Sequence, residues 1–243
     1  ESFFEPELLD FASACLAHSE AYVRALFELR IDSKMQRRIG FPLSEALVNR
    51  ERVIADGTIK SALFALADGI SFNTAGGTHH AGYNFGEGFC MLNDQAIAAA
   101  YLHSRGLAQR IVIIDLDVHQ GNGTAHIFKD SPHVFTFSMH GAKNYPFIKE
   151  TSFLDVPLAD ALTDEGYLSL LNDSLNSLLE EVRPDFIFYQ AGVDILETDK
   201  LGKLKISSAG CKQRDHFVLR LCKEKNIPVQ VSMGGGYSVH IKD

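Results

Sequence analysis

Residues 111–123 read IVIIDLDVHQGNG. Four β-branched residues run without a polar break into Asp115, Asp117 and His119, and glycines follow. A short, continuous apolar run is the mark of a strand buried on both faces. Three further stretches have the same character: VFTFSMH (134–140), DFIFYQAGVD (185–194) and IPVQVSMGGG (227–236). A shorter one, ISFNTA (70–75), ends in Gly76 and Gly77. Between them lie helical patterns at 50–68, 91–105, 163–182 and 207–226, and residues 6–30 carry apolar residues at helical spacing. Asn93 and Asp94 stand near the start of one helix, and Thr163 and Asp164 open another. Buried strands alternating with helices predict an α/β fold, a central mostly parallel sheet flanked by helices.

The bulk numbers agree with one large α/β domain or two small ones. The chain has 243 residues, of which 46% are hydrophobic, enough for a substantial core. Its net charge of -8 argues against direct nucleic-acid binding as the main activity. Cys15, Cys90, Cys211 and Cys222 form no CxxC pair, which leaves out a zinc ribbon and a thioredoxin-like motif. Scattered thiols fit a reducing compartment, so a cytoplasmic location, or a nuclear one in a eukaryote, is expected. No apolar run approaches the ~20 residues of a membrane span. The chain opens on Glu1 rather than Met, which suggests partial coverage of a longer sequence. No internal repeat or low-complexity stretch is present.

In parallel sheets, ligands bind beyond the carboxyl ends of the strands. Four strands here end in chemistry-bearing residues: Thr78-His79-His80, Asp115-Leu116-Asp117-Val118-His119, Gly192-Val193-Asp194 and Gly234-Gly235-Gly236-Tyr237. In an extended segment, residues two apart point to one side, so Asp117 and His119 can reach one metal, with Asp194 as third ligand. One imidazole and two carboxylates suit Zn²⁺ with a coordination position left open. An imidazole of the His79-His80 pair can take a proton from water at that position and later give one to a leaving amine. Asp115 is placed to hold the outer nitrogen of a catalytic histidine. Tyr237, after three glycines, can donate to a carbonyl oxygen as it becomes an oxyanion. Alone, a His pair, a DxDxH or a GGGY reads as a surface pair, a capped loop or a turn; together, each at a strand end, they read as a catalytic metal site.

The segments GGTHHAGYNFGEGFCMLND, IIDLDVHQGNG, QAGVDILETDKLGKLKIS and GGGY resemble those of histone deacetylases, over roughly residues 40–240. The stretch AGVDILETDKLGKLKISSAG is most similar to the class IV branch. The resemblance implies a three-layer arginase/deacetylase-like fold and removal of acetyl or longer acyl groups from lysine side chains of proteins or peptides. It implies Asp117, His119 and Asp194 as zinc ligands, with Fe²⁺ as the other candidate ion. It makes His80 the general base and acid, His79 an electrostatic partner oriented by Asp115, and Tyr237 the group that polarises the carbonyl. Asn122 stands where many class I members have Asp, so His80 is expected to be a weaker base and more easily neutral. Gly88, Phe89, Tyr145 and Gly235 would line the acyl-lysine tunnel, with Phe147 at its border. Potassium is implied at the carbonyls of Asp115, Asp117, His119, Ser138 and Met139, and a second ion at those of Phe128, Ser131 and Val134. Class IV similarity favours long fatty acyl groups. The chain reads as a single catalytic domain over 1–243 that lacks the family's first strand and its helix after GGGY.

Three other readings remain. A two-manganese arginase-type site needs further acids, but positions 121 and 196 hold Gly and Leu. Hydrolysis of an acyl-polyamine shares the same chemistry and would differ in tunnel shape and subunit pairing. A silent acyl-lysine-binding module would be favoured by loss of Tyr237 or a metal ligand, and all are present. The sequence leaves the oligomeric state open.

Overall fold

The computed structural model describes residues 3–240. Six strands form one sheet: β1 (Ile70–Asn73), β2 (Ile111–Asp115), β3 (Val134–Gly141), β4 (Leu154–Leu158), β5 (Phe186–Gln190) and β6 (Val229–Ser232). Their order is β1-β6-β5-β2-β3-β4, and every neighbouring pair is parallel. The helices are α1 (Phe11–Ala14), α2 (Glu20–Phe27), α3 (Ser33–Ile39), α4 (Glu45–Asp68), α5 (Asp94–Ser104), α6 (Asn122–Phe128), α7 (Asp164–Val182) and α8 (Ser208–Lys225). Alternation along β2 sorts the core into two layers. Ile111 and Ile113 pack with residues of α2, α4 and α5, whereas Val112 and Ile114 pack with those of α7 and α8. The three-layer α/β reading therefore holds. No helix among the described residues is long and apolar enough to cross a membrane.

The register aligns the strand ends. Asn73 pairs with Ser232, Ser232 with Gln190, Gln190 with Asp115, and Asp115 with Ser138. A row of polar residues thus closes the carboxyl edge of an otherwise apolar sheet, and the loops that follow share one rim.

Several boundaries differ from those expected. Residues 6–30 form two short helices rather than one, because Ser19 caps α2 through the Tyr22 N–H and its own N–H donates to Tyr83 O. Next to it His18 turns inward, 2.9 Å from Gly82 O through Nδ1 and accepting the Asn93 N–H through Nε2. Helix α4 begins at Glu45, capped by Ser44. Strand β1 lies at the sheet edge with Ile70 and Phe72 exposed, so it is not buried on both faces. The sequence reading contained neither α3, α6 nor β4; α3 and α6 have seven residues each, and β4 carries Pro157, which only an edge position tolerates.

His18 gives the fold a pH dependence. Burial, only partly offset by the Gly82 and Tyr83 carbonyls, holds it down to about 4 from an ordinary 6.5. It is neutral in the folded chain and takes a proton in the unfolded chain, so stability falls as pH drops from about 6.5 toward about 4. The contribution lost is up to about 3 kcal/mol. Urea unfolding of wild type and His18→Gln between about pH 7 and about pH 4.5 tests this. Wild type is expected to lose more stability over the window than the variant; equal losses would contradict it.

Candidate metal-dependent active site

Asp117 and His119 do not sit on β2. The strand ends at Asp115, and residues 117–119 form a bend. The same-side argument from strand alternation therefore gives way to a turn: the His119 N–H donates to Asp117 Oδ1 at 2.9 Å, folding the imidazole back over the carboxylate. His119 Nδ1 lies 3.0 Å from both Asp117 Oδ1 and Asp194 Oδ2. Asp194 follows β5, and its Oδ1 accepts the Val118 N–H at 2.8 Å. Asp117 Oδ2 accepts the Gly235 N–H at 2.9 Å. Asp194 is thus fixed by one backbone donor and Asp117 by two, and one oxygen of each carboxylate faces the imidazole.

One donor atom from each of Asp117, His119 and Asp194 lies within 4.8 Å of the others, and these three residues can hold a metal ion. Both aspartates are almost wholly buried. Burial and the Asp117 charge push Asp194 up to about 7, while burial at Asp117 is outweighed by His79 and His119, which hold it far below the carboxylate range. Two dry carboxylates this close repel one another, and no lysine or arginine pairs with either among the described residues. The donor set fits a divalent cation. Gly235 permits the approach, since a Cβ there would lie 2.5 Å from Asp194 Oδ2 and 2.8 Å from Asp117 Oδ2.

The histidine pair lies buried beside this cluster. His79 Nδ1 is 2.7 Å from Asp115 Oδ2. Burial opposes a charge on His79, but Asp115 and Asp117 overcome it and lift the ring to about 9. Burial, then the charge on His79, push His80 well below the ordinary histidine value. His80 Nδ1 is 2.6 Å from Asn122 Oδ1, and Asn122 Nδ2 donates to Glu87 Oε1 at 2.6 Å. A carboxylate only accepts, so Glu87 sets which way the Asn122 amide faces. The amide oxygen then points at His80, whose Nδ1 carries the proton and whose Nε2 keeps its lone pair. Arg38 pairs with the other Glu87 oxygen.

A cavity of about 600 Å³ opens over these groups and is lined by His79, His80, Asp117, His119, Asp194 and Tyr237. Gly88, Phe89, Tyr145, Phe147 and Gly235 line it as well. Tyr145 stands edge-on to His80 with ring centroids 5.0 Å apart. Gly88 is left-handed (φ 56), and a Cβ there would meet His80 Cδ2 at 2.6 Å. Burial and the nearby Asp117 and Asp194 charges raise Tyr237 to about 12, so its hydroxyl stays protonated as a donor. Ser138 and Met139 lie on β3, with Ser138 in register with Asp115. Phe128, Ser131 and Val134 lie apart from the cavity at the α6–β3 turn, where Ser131 Oγ accepts the Val134 N–H and Phe128 O accepts the Ser131 N–H.

Three supports were not found from sequence. Asp94 Oδ1 accepts the Gly77 and Thr78 N–H groups, anchoring the loop before His79. Arg214, on α8 and wholly buried, donates to Gly192 O at 2.6 Å and Leu116 O at 3.2 Å, tying together the loops that carry Asp117, His119 and Asp194. Glu87 orients Asn122, as above. From sequence, Asp94 marks only a helix start. Arg214 carries no signal beyond its place in the helical pattern at 207–226, and Glu87 lies between two glycines with no spacing signal.

A family model described as "Histone deacetylase domain" matches residues 2–242. An uncharacterized protein of Picosynechococcus sp. is 49% identical over 100% of this chain and 81% of its own length. Histone deacetylase 2 of Arabidopsis thaliana is 38% identical over 74% of this chain and 48% of its own length. This chain thus spans about half the length of that named relative. The crystal structure of an HDAC homolog complexed with SAHA superimposes with a TM-score of 0.83 at 26% identity, covering 96% of this chain and 68% of that one. With nearly all its residues inside the family model, the chain belongs to the histone deacetylase family.

Proposed function

We propose that the protein is a zinc-dependent lysine deacylase of the class IV type, removing acetyl or longer acyl groups from lysine side chains. The observation that carries this reading is the meeting of Asp117, His119 and Asp194 within 4.8 Å, beside an imidazole with a bare Nε2, at the floor of one cavity. One imidazole and two carboxylates suit Zn²⁺, and Fe²⁺ is compatible with the same donors. A cation there supplies Lewis-acid chemistry, polarising the amide carbonyl and making a water more acidic.

The remaining work falls to this chain's residues. His80 Nε2 accepts the proton of the attacking water and returns a proton to the leaving lysine amine, so the amide C–N bond breaks to a neutral amine. His79, held positive by Asp115, keeps His80 neutral between turnovers and stabilises negative charge beside it. The Tyr237 hydroxyl donates to the carbonyl oxygen as it becomes an oxyanion. Gly88, Phe89, Tyr145 and Gly235 confine the acyl-lysine chain. Potassium at the carbonyls of Asp115, Asp117, His119, Ser138 and Met139, with a second ion at Phe128, Ser131 and Val134, belongs to the same reading.

Hydrolysis of a fluorogenic acyl-lysine peptide, with and without a chelator, tests the activity, and a series of acyl lengths ranks its substrates. His80→Ala is expected to lower turnover by about 100-fold or more. Turnover near that of wild type would remove His80 from this role. Asp194→Ala is expected to lose bound metal together with activity; one equivalent of zinc retained in that variant would exclude Asp194 as a ligand.

A further inference from the structure

We propose that the mouth of the cavity selects acyl-lysine segments flanked by acidic residues. This rests on the deacylase reading above and names the substrate class for the same site. The whole chain carries a net charge of -8, yet five cationic side chains line this one cavity. Arg37 and Arg38 come from α3, Arg50 from α4, Lys143 from the loop after β3, and Lys203 from the loop after β5. Among the described residues, the only carboxylates lining the cavity are those of Asp117 and Asp194. These are the buried pair at the floor, which a divalent cation would neutralise. The positive charge at the rim then has no counterpart inside the cavity.

Two of these cations are held in place by built contacts. The Arg38 guanidinium sits 4.2 Å from the Phe85 ring centroid and pairs with buried Glu87. Lys203 Nζ donates to Lys143 O at 2.9 Å. Arg50 lies 3.6 Å from Glu51, and Lys143 lies 3.0 Å from Asp160. Burial pushes Glu51 up to about 7, so it offsets Arg50 only in part near neutrality. Arg37 and Lys203, both exposed and carried by segments far apart in the chain, pair with no carboxylate among the described residues. A recessed site ringed by one sign of charge focuses the field along its axis and raises the encounter rate of ligands of opposite sign. A basic segment, or a cationic polyamine chain, meets that field as repulsion.

The test compares one acyl-lysine in three peptide contexts: flanked by Asp and Glu, by Ser and Gly, or by Lys and Arg. kcat/KM is measured at low and at raised ionic strength, and binding of the same labelled peptides is followed by fluorescence anisotropy. The acidic context is expected to exceed the basic one by roughly tenfold at low salt, the scale of two or three exposed ion pairs, with the gap narrowing as salt screens it. The double variant Arg37→Glu/Lys203→Glu is expected to shrink or invert the ratio. Equal binding across the contexts, or a preference for the basic one, overturns the proposal. Preferential binding of the acidic peptide without turnover of any peptide supports the proposal and instead sinks the deacylase reading.

Discussion

Two carboxylates buried within reach of one another are the feature around which the rest of this molecule is arranged. Asp117 and Asp194 stand on the loops that follow the adjacent strands β2 and β5, and one oxygen of each faces a single imidazole. Removing two like charges from water costs several kcal/mol each unless opposite charge is supplied. The chain supplies some of it through His119 and His79, but no arginine or lysine pairs with either acid among the described residues. The arrangement is unfavourable as pure structure and reasonable as a cradle for a cation. Such strain on stability is common where chemistry is done.

The fold makes that arrangement possible by register. Parallel strands β6, β5 and β2 end together at Ser232, Gln190 and Asp115 and send their loops to one rim. Arg214 then reaches up from α8 to the Leu116 and Gly192 carbonyls and locks the loops of Asp117 and Asp194 together from below. From the other side, Asp94 gathers the Gly77 and Thr78 amides. Glu87 continues the pattern outward, since the carboxylate that orients Asn122 also binds Arg38 at the rim. The lone pair on His80 and the charge at the mouth therefore share one support.

Much of this was readable from residues 111–123 alone, because an uninterrupted β-branched run has few uses other than a buried strand. The convergence of Asp117, His119 and Asp194 was legible as well, but strand alternation is not what produces it. Asp117 and His119 meet through a turn closed by a backbone N–H, not through strand alternation. The breaks were harder. Nothing local marks the inward turn of His18 between α1 and α2, because its partners Gly82 and Asn93 are 64 and 75 residues away. Strand β4 is short, holds a proline and pairs on one side only, so its periodicity is weak. Glu87 and Arg214 were invisible for a similar reason: their roles depend on partners far along the chain. The carbonyl sites expected for potassium leave no side-chain signature, so their assignment rests on resemblance.

Metal analysis joined to X-ray absorption at the zinc edge, on the wild-type protein, reaches the central claim most directly. The account predicts one zinc per chain, coordinated by nitrogen and oxygen only, with distances near 2.0–2.2 Å and a single imidazole in the fitted shell. A sulfur shell near 2.3 Å, two or more imidazoles in the fit, or a protein that binds no divalent metal at all would contradict it.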